Sequence, residues 1–229
     1  MGSRPGRADV RETVPRGTEL RWAALGGVVG PVAFIVAWCL ASTVAPGYSA
    51  SNDAISELAA AGADTRALMT SGFIAFALCV FPYAWALRGS LGGRAWTAAA
   101  GTGIATLLVA AIPLGRSPAS DHWHGIVAVC GYTSLAVTPL LAIRPLLARG
   151  HPAVAALSIA TAAVSATTLL LSDATRLTGL FQRVGLTTGQ VWILCSSLAV
   201  ISGRIDSRGQ EAVDHHLPAG AAAGAEAHR

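Results

Sequence analysis

The sequence predicts an all-α protein, a polytopic bundle of six transmembrane helices with disordered cytoplasmic tails at either end. Three observations predict it. Of the 229 residues 53% are hydrophobic and only 12% are charged, about half the charged share of a soluble domain. Six charge-free runs, 22–45, 67–87, 95–115, 125–143, 152–172 and 184–203, each approach the roughly 20 residues a helix needs to cross a bilayer. Six such runs would be very hard to bury inside one soluble domain. The arginines also sort to one side of these runs, as they do around membrane spans. The chain thus divides into an arm, 1–19, a membrane domain, 20–203, and a tail, 204–229.

The arm mixes Arg4, Arg7, Arg11 and Arg16 with Asp9, Glu12, Gly and Pro, a composition expected to stay disordered. The apolar run behind it exceeds the roughly 7–15 residues of a signal-peptide core, so an uncleaved first span is expected. Within that span Gly26 and Gly30 form a small-x-x-x-small pattern that lets a second helix approach closely. A polar, acidic loop over 46–66 follows. Span 2 ends at Pro82 and the interfacial Trp85, and Arg88 and Arg94 bracket a Gly-rich turn. Span 3 leads to Pro113 and Arg116, then Asp121, His122 and His124 open span 4. Span 5 carries Ser158, Thr161, Ser165, Thr168 and Ser172 at alternating spacings of three and four, which align five hydroxyls on one helix face. Such a stripe is expected to join helices; a water-lined path is the alternative. The tail after span 6 contains His215, His216 and His228 without a metal-binding pattern.

Orientation follows from the arginines, which number 16 because the chain has no lysine. Arg66, Arg116, Arg176 and Arg183 lie on one side and the other twelve on the side of the N-terminus. Both termini are therefore expected in the cytoplasm of a multi-pass protein of the cell membrane, with the acidic loop outside. An arginine excess alongside abundant Ala and Gly reflects a GC-rich coding bias, so no nucleic-acid partner is read from the basic pI; the bilayer is the expected partner. Cys39, Cys79, Cys130 and Cys195 fall in four different spans, where buried structural thiols are expected.

Three outward segments concentrate ionisable groups. Asp53 and Glu57 lie four apart; on one helix they would repel, and a cation should offset them. Asn52 or Asp53 could cap that helix. Asp173 follows span 5 and Arg183 precedes span 6, each of the wrong sign for its own helix dipole. A mutual pair, or pairing with the other loops, would remove the conflict. His122 and His124 point about 200° apart on a helix and cannot share a metal; a carboxylate partner for His124 is expected instead. No recognised metal spacing is present, and no cofactor is assigned. Nucleophilic catalysis would need an activated serine beside His124; Ser49 and Ser56 are the loop candidates, and no local feature marks either as activated.

Tyr48-Ser49 with Ile55-Ser56-Glu57-Leu58, His124-Gly125, and Gly179 to Val184 with Gln182 and Arg183 at its centre together resemble a bacterial six-span family. It is known as domain of unknown function 998. The resemblance covers about 20–203. It departs at Glu57, where an aspartate is the more frequent residue, and at Ala59-Ala60, where a glycine often follows the leucine. The Ile-Ser-acid loop is more weakly similar to one in the damage-regulated autophagy modulator family. The resemblance implies the six-span layout and singles out Ser49, Ser56, Glu57, His124, Gln182 and Arg183; the charge argument adds Asp53 and Asp173. These eight are expected to form an outward pocket holding a lipid headgroup or small polar ligand, in a transport-like or accessory role. The alternative is a membrane-embedded, metal-assisted hydrolase acting on a lipid.

Overall fold

The computed structural model describes residues 17–205, the side chain of Asp173 excepted. The arm up to residue 16 and the tail from 206, with their expected disorder, lie outside the described residues. Seven helices run in order: α1 Gly17–Ala24, α2 Gly26–Val44, α3 Arg66–Leu91, α4 Ala95–Ala111, α5 Pro118–Ala148, α6 Pro152–Ala174 and α7 Thr178–Ile201. A short 3-10 helix, Ile55–Ala59, sits in the loop between α2 and α3. Leu25 keeps helical dihedrals, φ −57 and ψ −27, so α1 feeds α2 as one 28-residue rod from Gly17 to Val44. Helix thus begins inside the expected arm.

Five of these rods are long and apolar enough to cross a membrane, with mean hydropathies between 1.6 and 2.1. The third expected span differs. Its helix α4 is 17 residues and stops at Ala111, because Pro113 and the positive-φ Gly115 cannot continue it. The fourth is longer than expected, since Ser117 caps it by accepting the Ser120 N–H at 3.1 Å and Pro118 occupies its first turn. Asp173 lies in the last turn of α6 and Arg183 in the second turn of α7. A charge-free run ends at the first charge, but a helix need not.

Each helix packs on its chain neighbours, α7 also closes against α2, and α3 sits at the centre. Gly26 rests on the Cys79 carbonyl where no side chain would fit, so α2 meets α3 in backbone contact. Phe34 then reaches Phe73 and Phe76 at centroid distances of 5.5 and 5.6 Å. Tyr83 is fully buried and hydrogen-bonds Ser196 across 2.8 Å. The hydroxyl stripe of α6 is buried throughout and faces α7. Ser165 donates to the Gly185 carbonyl at 3.1 Å, Ser158 accepts the Trp192 indole N–H at 2.9 Å, and Thr168 packs on Gly185. The stripe joins two helices.

Val29, Val32, Val36 and Leu40 form an exposed apolar line along α2, the face that meets lipid. Trp22 and Trp85 are exposed at one end of the bundle and Trp123 at the other, the positions of interfacial anchors. The cysteines correct an expectation. Cys39, Cys130 and Cys195 are exposed on the outer surfaces of their helices and only Cys79 is partly covered. An unpaired thiol behaves as a small apolar group, and in a membrane protein the apolar side of a helix faces outward as readily as inward.

Candidate functional site

Helix α7 begins with N–H groups that no residue of its own helix can satisfy, and no side chain caps it. The acidic loop supplies the acceptors. Gly179 donates to the Asn52 carbonyl at 3.3 Å and Leu180 to the Ser51 carbonyl at 2.9 Å. Gly179 is required there, because a Cβ would strike the carbonyls of Asp53 and Ala50. One turn on, Gln182 accepts the Ile55 N–H at 3.1 Å.

Arg183 completes this joint. Its side chain is 8% exposed and donates through one terminal nitrogen to the carbonyls of Ala50 (2.6 Å), Asp53 (3.2 Å) and Gly179 (2.9 Å). The other terminal nitrogen donates to the Tyr48 hydroxyl. That hydroxyl in turn reaches the Ala54 carbonyl at 3.0 Å. The guanidinium also lies 5.1 Å from the Trp38 ring centroid and 5.5 Å from that of Tyr48, within cation–π range. Burial pushes the Tyr48 phenol above its ordinary 10.0, while its hydrogen bond to Arg183 and that residue's charge pull it down.

The expected carboxylate partners are engaged elsewhere. Asp53 closes its own turn by accepting the Ser49 N–H at 2.6 Å, and Glu57 accepts the Ala54 N–H at 3.2 Å. Asp53 precedes the 3-10 helix, so the two acids do not share a helical face, and Ala54 is the N-cap residue rather than Asn52 or Asp53. Arg183 instead faces aligned carbonyl dipoles and aromatic faces, which already converge at this helix end. The Asp173 side chain, and with it the expected pair with Arg183, lies outside the described residues.

The sequence-derived residues distribute over two openings on the loop side of the bundle. Asp53 and Glu57, with Asp64, line a mouth of about 380 Å³ beneath the α2–α3 loop. Ser56, His124 and Gln182, with Ser172 and Thr178, line a second cavity of about 490 Å³ against α5 and α6. Arg183 lines neither opening, and the Ser49 hydroxyl points to that of Ser51 at 3.2 Å. Among the described residues, Asp53 and Glu57 thus line a different opening from Ser56, His124 and Gln182.

His124 differs from expectation in its partner. Its Nδ1 is 2.6 Å from the Ile112 carbonyl that the end of α4 leaves free, while Asp121 accepts the Gly115 N–H at 2.8 Å. Nδ1 therefore carries the proton in the neutral ring, and Nε2 presents a lone pair. That Nε2 is buried and has no partner among the described residues. The cavity that His124 lines also has Val129 and Leu170, 52% and 74% exposed, in its wall, so it opens toward lipid. No cluster of three metal-ligating side chains forms among the described residues.

Trp38 and Tyr132 are site residues that the sequence reading missed; it also missed Gln190, which is 1% exposed and lies outside the cavity that His124 lines. A lone amide inside an apolar run was the available signal for Gln190, since polar groups at membrane depth are costly to keep.

No curated protein and no solved structure matches the chain. The model of the family described as "Protein of unknown function (DUF998)" matches residues 28–199, from the start of α2 almost to the end of α7, and the chain belongs to that family.

Proposed function

We propose that the protein binds the polar headgroup of a membrane lipid in the cavity between α5 and α6, in a transport-like or accessory role at the outer face of the cell membrane, with both termini cytoplasmic. The buried, unpartnered Nε2 of His124 carries this reading. A buried acceptor without a partner is unfavourable, and a headgroup hydroxyl or ammonium would supply the missing donor. Ser56 and Gln182 add hydroxyl and amide groups to the same wall, and the exposed Val129 and Leu170 give the acyl chains a route from the bilayer.

His124→Asn tests it, because an asparagine amide can still donate to the Ile112 carbonyl while Nε2 is lost. Native mass spectrometry of protein taken from vesicles of phosphatidylcholine with phosphatidylglycerol or phosphatidylethanolamine should show one bound lipid. Retention should fall at least fivefold in the variant. Equal retention by the two proteins rejects the reading.

A second reading, a lipid hydrolase acting with metal assistance, draws on Ser56 and His124 sharing one cavity wall. One zinc per purified chain, lost in His124→Asn together with release of fatty acid from the same vesicles, would favour it over binding alone.

A further inference from the structure

Behind the outer cavity lies a second, deeper chamber of about 50 Å³, bordered by Phe34, Phe73, Phe76 and Leu135 and by Gln190. The two spaces share Ser56, Ala128 and Tyr132 in their walls. Gln190 sits in the middle of α7, and neither end of its amide has a hydrogen-bond partner among the described residues. An amide buried at membrane depth with both its donor and its acceptor unmet is costly. Its packing does not explain it.

What would satisfy it is constrained on three sides. The chamber has no charged residue in its wall, and a charge at that depth is disfavoured, so the occupant is neutral. Gln190 offers both an acceptor and a donor, which a hydroxyl or a carboxamide answers with one group. At about 10–15 Å³ per water-sized sphere, the space admits about four such groups in a row. Water could meet Gln190 with the hydroxyls of Ser56 and Tyr132, but it leaves the apolar part of the wall unmet. Thr102 and Thr106 spend their hydroxyl protons on the carbonyls of Ala98 (3.2 Å) and Thr102 (2.8 Å), and most of the remaining wall is aromatic or aliphatic. An occupant with one polar end and a carbon flank meets Gln190 and the phenylalanines together.

We propose that this chamber binds a neutral hydroxyl- or amide-bearing group with an apolar flank, recognised by Gln190 and admitted from the outer cavity past Ser56 and Tyr132. It takes from the headgroup reading only the outer cavity as port of entry. Such a group could belong to a free small alcohol or amide or to the hydroxyl end of a single-chain lipid. The chemistry is the same.

The test uses a diazirine-bearing octanol on the full chain in phosphatidylcholine vesicles, with adducts mapped by peptide mass spectrometry. Adducts are expected on the chamber segments of α4, α5 and α7, and a diazirine-bearing octanoate should not place them there. Gln190→Leu, which keeps the volume and removes the amide, and Ala128→Leu, which narrows the passage, should each reduce the adduct at least fivefold. Folding of Gln190→Leu should be intact, because no bond to the protein is lost. Protection by 1-monooleoylglycerol at fixed solute concentration assigns the lipid source, protection by 1-butanol the free solute, and protection by neither overturns the proposal. Unchanged labelling in Gln190→Leu, or adducts confined to lipid-facing residues, overturns it as well. Loss in Gln190→Leu with none in Ala128→Leu overturns the port.

Headgroup retention in the same proteins separates the two readings. Gln190→Leu should keep the lipid that His124→Asn loses, and His124→Asn should keep the octanol adduct. A wild-type protein that retains no headgroup lipid but gives the protected adduct sinks the headgroup reading and leaves the chamber standing.

Discussion

Arg183 donates to the backbone carbonyl of Ala50 at 2.6 Å across 133 positions of chain, which fastens the α2–α3 loop to the start of α7. The contact is to main chain, so it depends on the shape of the loop and not on the identity of its side chains. Arg183→Gln should destabilise the protein by about 3 kcal/mol, the scale of lost charge-assisted hydrogen bonds to buried acceptors. Arg183→Lys should recover little, because one ammonium cannot reproduce the planar fork. Arg66→Gln, at an exposed arginine on the same side of the bundle, serves as the control and should cost almost nothing. Denaturation in detergent reads all three, and equal effects at the two sites would remove the strut from the account.

Tyr48 makes the same joint sensitive to alkali. Burial raises its pKa above 10.0 in the folded protein, and the unfolded phenol titrates near 10. A raised folded value means the contribution is present in full below about pH 10 and is lost as pH rises through the folded value. Tyr48→Phe should therefore be less stable than wild type at pH 8, and the gap should shrink as the pH rises above 10. A gap that stays constant or widens contradicts this.

The α6–α7 seam predicts a rank order. Ser158→Ala strands the Trp192 indole N–H and should cost most, about 1–2 kcal/mol. Ser165→Ala loses one bond between helices, worth about 0.6 kcal/mol. Thr168→Val should cost least, since that hydroxyl bonds carbonyls of its own helix, Val164 and Ser165. Thermal unfolding in one detergent gives the order, and Thr168 ranking first would reject the seam as described.

Orientation is open to direct measurement. Fusions of a reporter active only outside the cytoplasm, placed after Ala63, Arg94, Ser120, Gly150 and Arg208, should read out, in, out, in, in. An outside signal at Arg94 or Gly150 would break the six-span arrangement, with α4 the element most at stake because it is the shortest of the six expected spans.

By itself the sequence determined the membrane class and the number of apolar helices, because run length and the scarcity of charge are properties of the chain that no fold can alter. It also determined the hydroxyl stripe of α6, since residues three and four apart share a helix face whatever that face meets. The family resemblance singled out Gln182 and Arg183 as well. Only the tertiary structure decided their partners. The charge argument assigned carboxylates to Arg183, but carbonyls of the loop converge on it while Asp53 and Glu57 bond their own backbone. It likewise assigned His124 to a carboxylate, whereas the early end of α4 at Ala111 frees the Ile112 carbonyl for it. Helix ends, and the backbone acceptors they leave exposed, are set by how the helices pack. The chamber at Gln190 lay beyond the sequence for the same reason: five helices, α2, α3, α4, α5 and α7, build its walls, and no local pattern records a space between them.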